Sequence, residues 1–292
     1  MHTSKTILAL SPYHGGSHKA WFDAWQRRSR HHFHLLSLPA RKWKWRMRGA
    51  AMKFAKEASQ LGSHPTFDAL VATDMMNLAE FLALTRPWFD RCPAILYMHE
   101  NQTSYPLQPG ERIDYHYALT NLVSIMAATQ TVFNSSFNRD NFFAEIKKIL
   151  NKMPDAKIEP PRIHELQSKS LVLSPGIDDK ITTKKKTANT IPTILWNHRW
   201  DHDKQPQVFA NALLNLHRKG IPFHVILCGE QFRENPTSFE QAKDILGGRI
   251  LHYGYAPTQK KYLELLHQSD IAVSTANQEF FGISVLEAIA AG

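Results

Sequence analysis

Two successive series of short apolar runs, each followed by a longer amphipathic stretch, constrain this chain more than any other feature. The first series is TILAL (6–10), FHLLSL (33–38), DALVAT (68–73), AILYMH (94–99), TVF (131–133) and LVLS (171–174). Between these runs lie apolar groups at helical spacing, such as Trp21, Phe22 and Trp25. That rhythm predicts an α/β fold with a doubly wound parallel sheet. A polar stretch with three consecutive lysines, GIDDKITTKKKTANTIP, interrupts it from Gly176 to Pro192 and reads as a linker. The rhythm then restarts with TILWNH (193–198), FHVILCG (223–229), RILHY (249–253) and IAVST (271–275). The expected organisation is one Rossmann-like domain over residues 1–176, a linker over 177–192 and a second Rossmann-like domain over 193–292. Two such sheets would line a cleft with their carboxyl ends, where open α/β folds bind ligands. The second domain is expected to be incomplete, because the sequence stops directly after the helical SVLEAIAAG.

Composition narrows the class. With 292 residues, 43% of them hydrophobic, the chain can build two cores. Lysine and arginine number 35 against 26 acidic residues, a formal charge of +9 that favours anionic partners. Cys92 and Cys228 fall in different halves, so no disulfide framework is expected and a reducing, cytosolic setting fits. No stretch approaches the ~18 consecutive apolar residues of a membrane span. His31, His32 and His34 cluster without the helical i, i+4 spacing of a zinc site, and no metal is expected.

Three segments carry candidate chemistry. In WNHRWDHDK (196–204), Arg199 and Lys204 follow a strand end and precede a helix. Two cations beside a helix N-terminus favour a diphosphate through charge, dipole and free amides alike; solvated surface charge is the alternative. In NQEFFGISVLEAIAAG (277–292), Glu279 and Glu287 flank a loop-to-helix transition at Phe281 and Gly282. A glycine there admits close backbone approach, and Glu287 on the helix could accept hydrogen bonds from ribose hydroxyls. The third segment, RKWKWRMR (41–48), holds five cations and two tryptophans. Read as a strand or extended loop, it puts Arg41, Lys42, Lys44, Arg46 and Arg48 against Trp43 and Trp45 on alternating faces. Cations meeting phosphates beside aromatics facing unpaired bases is how RNA loops are recognised. Tryptophans packed in the core with solvated cations outside is the other reading, and the two can coexist. RNA contact by the cations is favoured, and whether the tryptophans stack stays open.

Arg199 with Lys204, followed by Glu279 and Glu287 in EFFGISVLE, resembles the donor site of retaining GT-B glycosyltransferases of family 4. The resemblance implies that Arg199 and Lys204 hold a nucleotide-sugar diphosphate, Glu287 the ribose and Glu279 the sugar hydroxyls. Amides around Phe281, Gly282 and Ile283 would complete those contacts. The N-terminal motifs SPYHGGSHKAW (11–21), LPARKWKWRMR (38–48), YMHENQTSYP (97–106) and VFNSSFN (132–138) are similar to a narrower group, the tRNA-queuosine mannosyltransferases. That likeness implies transfer of mannose from GDP-mannose to queuosine in the anticodon loop of an aspartate tRNA, with no metal required. The wider GT-B resemblance implies that His99 contacts the donor sugar; a structural histidine is the alternative. Gly15 and Gly16, with Ser17 available as a helix cap, form either a loop that approaches a phosphate or acceptor or a plain tight turn. Glu100, Asn101 and Gln102 either bind an acceptor nucleoside or order their loop. Two other functions remain compatible: a family 4 enzyme with a lipid or polysaccharide acceptor, and a tRNA-binding protein without catalysis.

Overall fold

The computed structural model describes residues 3–61, 66–86, 88–107, 110–154, 160–178, 181, 189–230 and 236–292. The chain divides into two compact units, Met1–Tyr105 with Arg112–Gly176, and Pro106–Glu111 with Ile177–Gly292. Most of the expected linker, residues 179–180 and 182–188, lies outside the described residues.

The first unit runs β1 (Thr6–His14), α1 (Gly16–Arg28), β2 (His32–Pro39), α2 (Trp43–Ser59), β3 (Ala69–Thr73), α3 (Leu78–Leu84) and β4 (Ala94–Met98). It continues through α4 (Tyr115–Ala127), β5 (Gln130–Phe133), α5 (Ser136–Leu150), α6 (Pro160–Lys169) and β6 (Leu171–Val172). Its six strands stand in the order β2-β1-β3-β4-β5-β6, all neighbours parallel. The order reverses between β1 and β3, so the crossover helices are divided between the two faces. Alternation within strands does the same for side chains. Leu8, Leu10, Leu70, Ala72, Leu96 and Met98 enter a core with Phe54, Phe81, Leu122 and Phe143 from α2 to α5. On the opposite face, Tyr97 stacks on Trp21 of α1, ring centroids 4.3 Å apart.

The second unit contains β7 (Thr193–Asn197), α7 (Pro206–Arg218), β8 (His224–Cys228), α8 (Thr237–Leu246), β9 (Ile250–Gly254), α9 (Gln259–Gln268), β10 (Ile271–Ala272) and α10 (Ile283–Ala291). The parallel order is β10-β7-β8-β9. Ile194, Trp196, Val225 and Leu227 face α7 and α8, while Leu195, Ile226 and Cys228 face α9 and α10. The fold class read from the strand rhythm is therefore present in both units. Cys92 and Cys228 are free thiols, and burial pushes that of Cys228 up to about 11. No described helix is long and apolar enough to cross a membrane.

Two local readings are corrected. The segment 41–48 is not extended: α2 begins at Trp43. Its apolar stripe, Met47, Ala50, Ala51, Phe54, Ala55 and Ala58, has helical spacing and lies mostly beyond the eight residues that suggested alternation. Nor does Ser17 cap α1; it lies inside the helix, whose N-cap is Gly15 with no side-chain cap bond. Gly15 answers instead to packing, since a Cβ there would meet Cβ of Ala40 at 2.4 Å.

Candidate active site

In the second unit the loops after β7 and β10 are sewn together. The Thr275 hydroxyl donates to the carbonyl of Lys204 at 2.7 Å and accepts from Nε1 of Trp196 at 3.0 Å. The Asn277 amide donates to the carbonyl of Asp203 at 2.8 Å. These ties bring Lys204 and Glu279 together from positions far apart in sequence. Lys204 Nζ lies 2.9 Å from Glu279 Oε1 and 3.0 Å from Asp203 Oδ2, and donates to the Gln278 carbonyl at 3.3 Å. All three ammonium hydrogens thus have oxygens to meet, and the side chain is 9% exposed. Arg199 is exposed on the same β7 loop.

His198, adjacent to Arg199, takes part although sequence reasoning gave it no role. Its Nδ1 is 3.5 Å from Glu279 Oε1, and its side chain is 1% exposed. Burial outweighs the nearby Glu279 carboxylate and holds the imidazole below its usual pKa, hence neutral at pH 7. Close backbone packing supports this corner: a Cβ on Gly229, just after β8, would sit 1.7 Å from the His198 carbonyl oxygen. In sequence the signal of His198 is position alone, at the close of the run that leads into the two cations.

Gly282 caps α10 with φ +78, the left-handed region that glycine enters freely. Phe281 precedes it and Ile283 opens the helix, whose first amides have no intrahelical acceptor. Glu287 lies one turn further in. Its Oε2 accepts from the Tyr262 hydroxyl at 2.6 Å. Asn197 in turn donates to the Tyr262 oxygen at 3.1 Å and the Ser284 carbonyl at 2.9 Å. Burial raises the Glu287 carboxyl above its usual range despite the Tyr262 bond. Glu279 and Glu287 therefore occupy different networks, one built on the Lys204 ammonium and one on the Tyr262 hydroxyl.

The trio Asp201, His202 and Asp203 brings potential metal-ligand atoms within 4.8 Å of one another. Several of those atoms are already engaged: Asp201 Oδ1 accepts from the His202 amide at 2.8 Å and faces its Nδ1 at 3.0 Å, and Asp203 pairs with Lys204.

The first unit holds its own polar centre at the carboxyl end of β3 and β4. Buried Asp74 accepts from the amides of His99 at 3.1 Å and Glu100 at 3.3 Å. Asn101 is 0% exposed. It donates to Asn138 Oδ1 at 2.8 Å and accepts from the hydroxyl of Thr103 at 2.6 Å. The Gln102 amide donates to Asn121 Oδ1 at 3.0 Å, and the Gln102 side chain to Glu100 Oε1 at 3.1 Å. For Asn101, loop ordering prevails over acceptor binding, because its amide group is enclosed and spent internally. The buried His99 ring lies 4.2 Å from that of His18 and 4.8 Å from both Trp21 and Tyr97. Its buried Nε2 has no hydrogen-bond partner among the described residues. Gly16, with φ +52, starts the helix that delivers His18 and Trp21.

Burial, reinforced by the charge of His18, holds His99 well below its ordinary pKa. Below about pH 6.5 the unfolded chain protonates this residue while the folded one does not, so its contribution destabilises as pH falls. Asp74 acts oppositely: burial and the Glu100 charge raise its carboxyl well above the usual range, so the folded state takes up that proton first as pH falls. A His99→Gln variant isolates the first effect. Between about pH 7.5 and 5.5, wild type should lose stability relative to the variant in urea titrations. An unchanged difference would mean that His99 protonates equally well in both states.

Along α2, Trp45 is 73% exposed, whereas Trp43 is partly buried against Tyr117 at 5.0 Å. Arg41, Lys42, Lys44 and Arg48 are exposed, and Arg46 reaches back to the Pro39 carbonyl at 3.2 Å. The core anchor of this segment is Met47 rather than either tryptophan.

Comparison with known proteins gives this geometry its class. Residues 6–177 match the family described as tRNA-queuosine alpha-mannosyltransferase N-terminal, and residues 178–292 match glycosyl transferases group 1. The tRNA-queuosine alpha-mannosyltransferase of Drosophila melanogaster is 35% identical over 297 residues, covering 98% of this chain and 77% of the fly protein. Among solved structures, the N-terminal domain of Candida albicans trehalose-6-phosphate phosphatase aligns with TM-score 0.63 at 13% identity, over 99% of this chain and 80% of that one. A glycosyltransferase from Rickettsia africae aligns with TM-score 0.58 at 16% identity, over 99% and 78%. At such identities the structural likeness is one of fold. The two parallel sheets and the group 1 match make the protein a glycosyltransferase of GT-B fold. The chain belongs to the tRNA-queuosine alpha-mannosyltransferase family.

Proposed function

We propose that the protein transfers mannose from GDP-mannose to queuosine in the anticodon loop of an aspartate tRNA, in the cytoplasm and with retention at the sugar carbon. The observation that carries the donor half is the Lys204–Glu279 pair, 2.9 Å apart, beside a helix that starts on a glycine in the left-handed region. A diphosphate arriving at Arg199 competes with Glu279 for Lys204. Once displaced, Glu279 turns to the sugar hydroxyls, its charge no longer neutralised by the ammonium. Amides around Phe281, Gly282 and Ile283 meet the sugar and phosphate, and Glu287 accepts from the ribose. Glu100 and Gln102 remain the acceptor contacts of their loop; Asn101 shapes it.

In the reaction the bond from the sugar carbon to the diphosphate oxygen breaks and one to the acceptor oxygen forms on the same face. The acceptor proton passes to the departing diphosphate. Arg199, Lys204 and the α10 amides stabilise the charge that grows there, so no metal is required. Incubation with GDP-mannose and queuosine-containing tRNA, followed by mass analysis of the nucleosides, should reveal a hexose increment on queuosine. An increment absent there but present on a lipid or oligosaccharide acceptor would reject the reading.

For the acceptor half, the exposed cations just before α2 and in its first turn contact tRNA phosphates. Replacing Arg41, Lys42 and Lys44 by alanine should weaken tRNA binding and lower its salt slope by about 2, at roughly 0.7 per single-strand phosphate contact. Filter binding across a salt series measures both. Unchanged affinity would remove residues 41–44 from the interface.

A further inference from the structure

Tyr117, in the first turn of α4, is where two stretches distant in sequence meet. The Trp43 ring stands edge-on to it at 5.0 Å, and the Arg48 guanidinium lies 5.4 Å from its centroid. Two residues earlier, Tyr115 is 37% exposed and carries Lys152, which follows α5. Lys152 Nζ donates to the Tyr115 hydroxyl oxygen at 3.0 Å and lies 5.2 Å from its ring centroid. On the α2 side, Lys44 sits 5.6 Å from the Trp43 centroid and Trp45 is open to solvent. Asp114, the N-cap of α4, accepts from the His116 amide at 2.9 Å and pairs with the His116 ring at 2.9 Å, and its charge also reaches Arg48.

We infer that the RNA-contact surface is a track rather than one segment. It runs from Lys44 and Trp45 of α2, through Arg48 and Tyr117, over the start of α4 to Tyr115 and Lys152. Its occupant is the phosphate backbone and unpaired bases of a tRNA loop, and the inference rests on the RNA reading of α2 given above. Lys44, Arg48 and Lys152 are exposed, and each lies beside an aromatic ring. Such pairing limits the freedom of a long cation and leaves less to lose on binding. Cations interleaved with accessible ring faces suit single-stranded RNA, where phosphates and bases alternate. A membrane would demand a continuous apolar face, which charges at 44, 46 and 48 interrupt in α2.

The test uses the whole chain, queuosine-containing tRNA and a salt series from about 50 to 200 mM. Lys152→Glu, at an exposed position, should weaken binding about tenfold and lower the salt slope by about 1. Tyr115→Ala should weaken binding with little change in slope, because it removes a stacking face and the support of Lys152 rather than a charge. Wild-type affinity and slope in Lys152→Glu, with binding still lost in the Arg41/Lys42/Lys44 triple variant, would overturn the track and leave the α2 reading standing. Wild-type behaviour in both would overturn the two together.

Discussion

Replacing Lys204 by alanine should cut turnover by about 10²–10³-fold, the usual loss when one donor to a developing oxyanion is removed. It should also destabilise the second unit by about 3–5 kcal/mol, because the partner left behind is a buried charge. The Asp203 side chain is 3% exposed, and its Oδ1 has no hydrogen-bond partner among the described residues. The two effects have separate readouts. Thermal unfolding measures the second, and turnover per folded molecule at low temperature measures the first. Arg199→Ala offers a contrast, since Arg199 is exposed. It should lower turnover while leaving the unfolding midpoint within a few degrees of wild type. Full turnover in folded Lys204→Ala would remove that residue from leaving-group stabilisation.

Glu279→Gln should separate donor binding from catalysis. The carboxylate sits 2.9 Å from Lys204 Nζ and therefore opposes any diphosphate seeking the same ammonium. Neutralising it should leave GDP affinity unchanged or tighter, as measured by calorimetry. Turnover with GDP-mannose should fall about 100-fold or more, because a preorganised acceptor for the sugar hydroxyls is lost. Binding and turnover falling in parallel would instead make Glu279 a structural support for Lys204. The carboxamide retains the size of the side chain, so collapse of the loop does not confuse the result.

The strand rhythm made both sheets legible because parallel strands buried on two faces are short, apolar and separated by crossover helices. Arg199, Lys204, Glu279 and Glu287 were legible as a spacing pattern. That Lys204 and Glu279 pair was not, since the pairing depends on Thr275 and Asn277 stitching two loops. His198 stayed hidden for a similar reason: a histidine at a strand end acquires meaning only once its neighbours in space are known. The segment at 41–48 misled through its length. Eight residues of alternating type mimic a strand, whereas the helical stripe becomes clear only with Phe54, Ala55 and Ala58. Asn101 misled differently, because a polar residue in a motif looks available until its burial is known. Tyr115 and Lys152 carried no local signal, and their meeting arises from the packing of α4 beside the end of α5.

The claim on which the rest depends is that two cations after β7 hold the departing diphosphate. A crystal structure of the protein with bound GDP tests it most directly. The β-phosphate should lie within hydrogen-bond reach of Lys204 Nζ and the Arg199 guanidinium, with the Glu279 carboxylate moved off the ammonium. A diphosphate bound elsewhere, with the Lys204–Glu279 pair intact, would contradict the account.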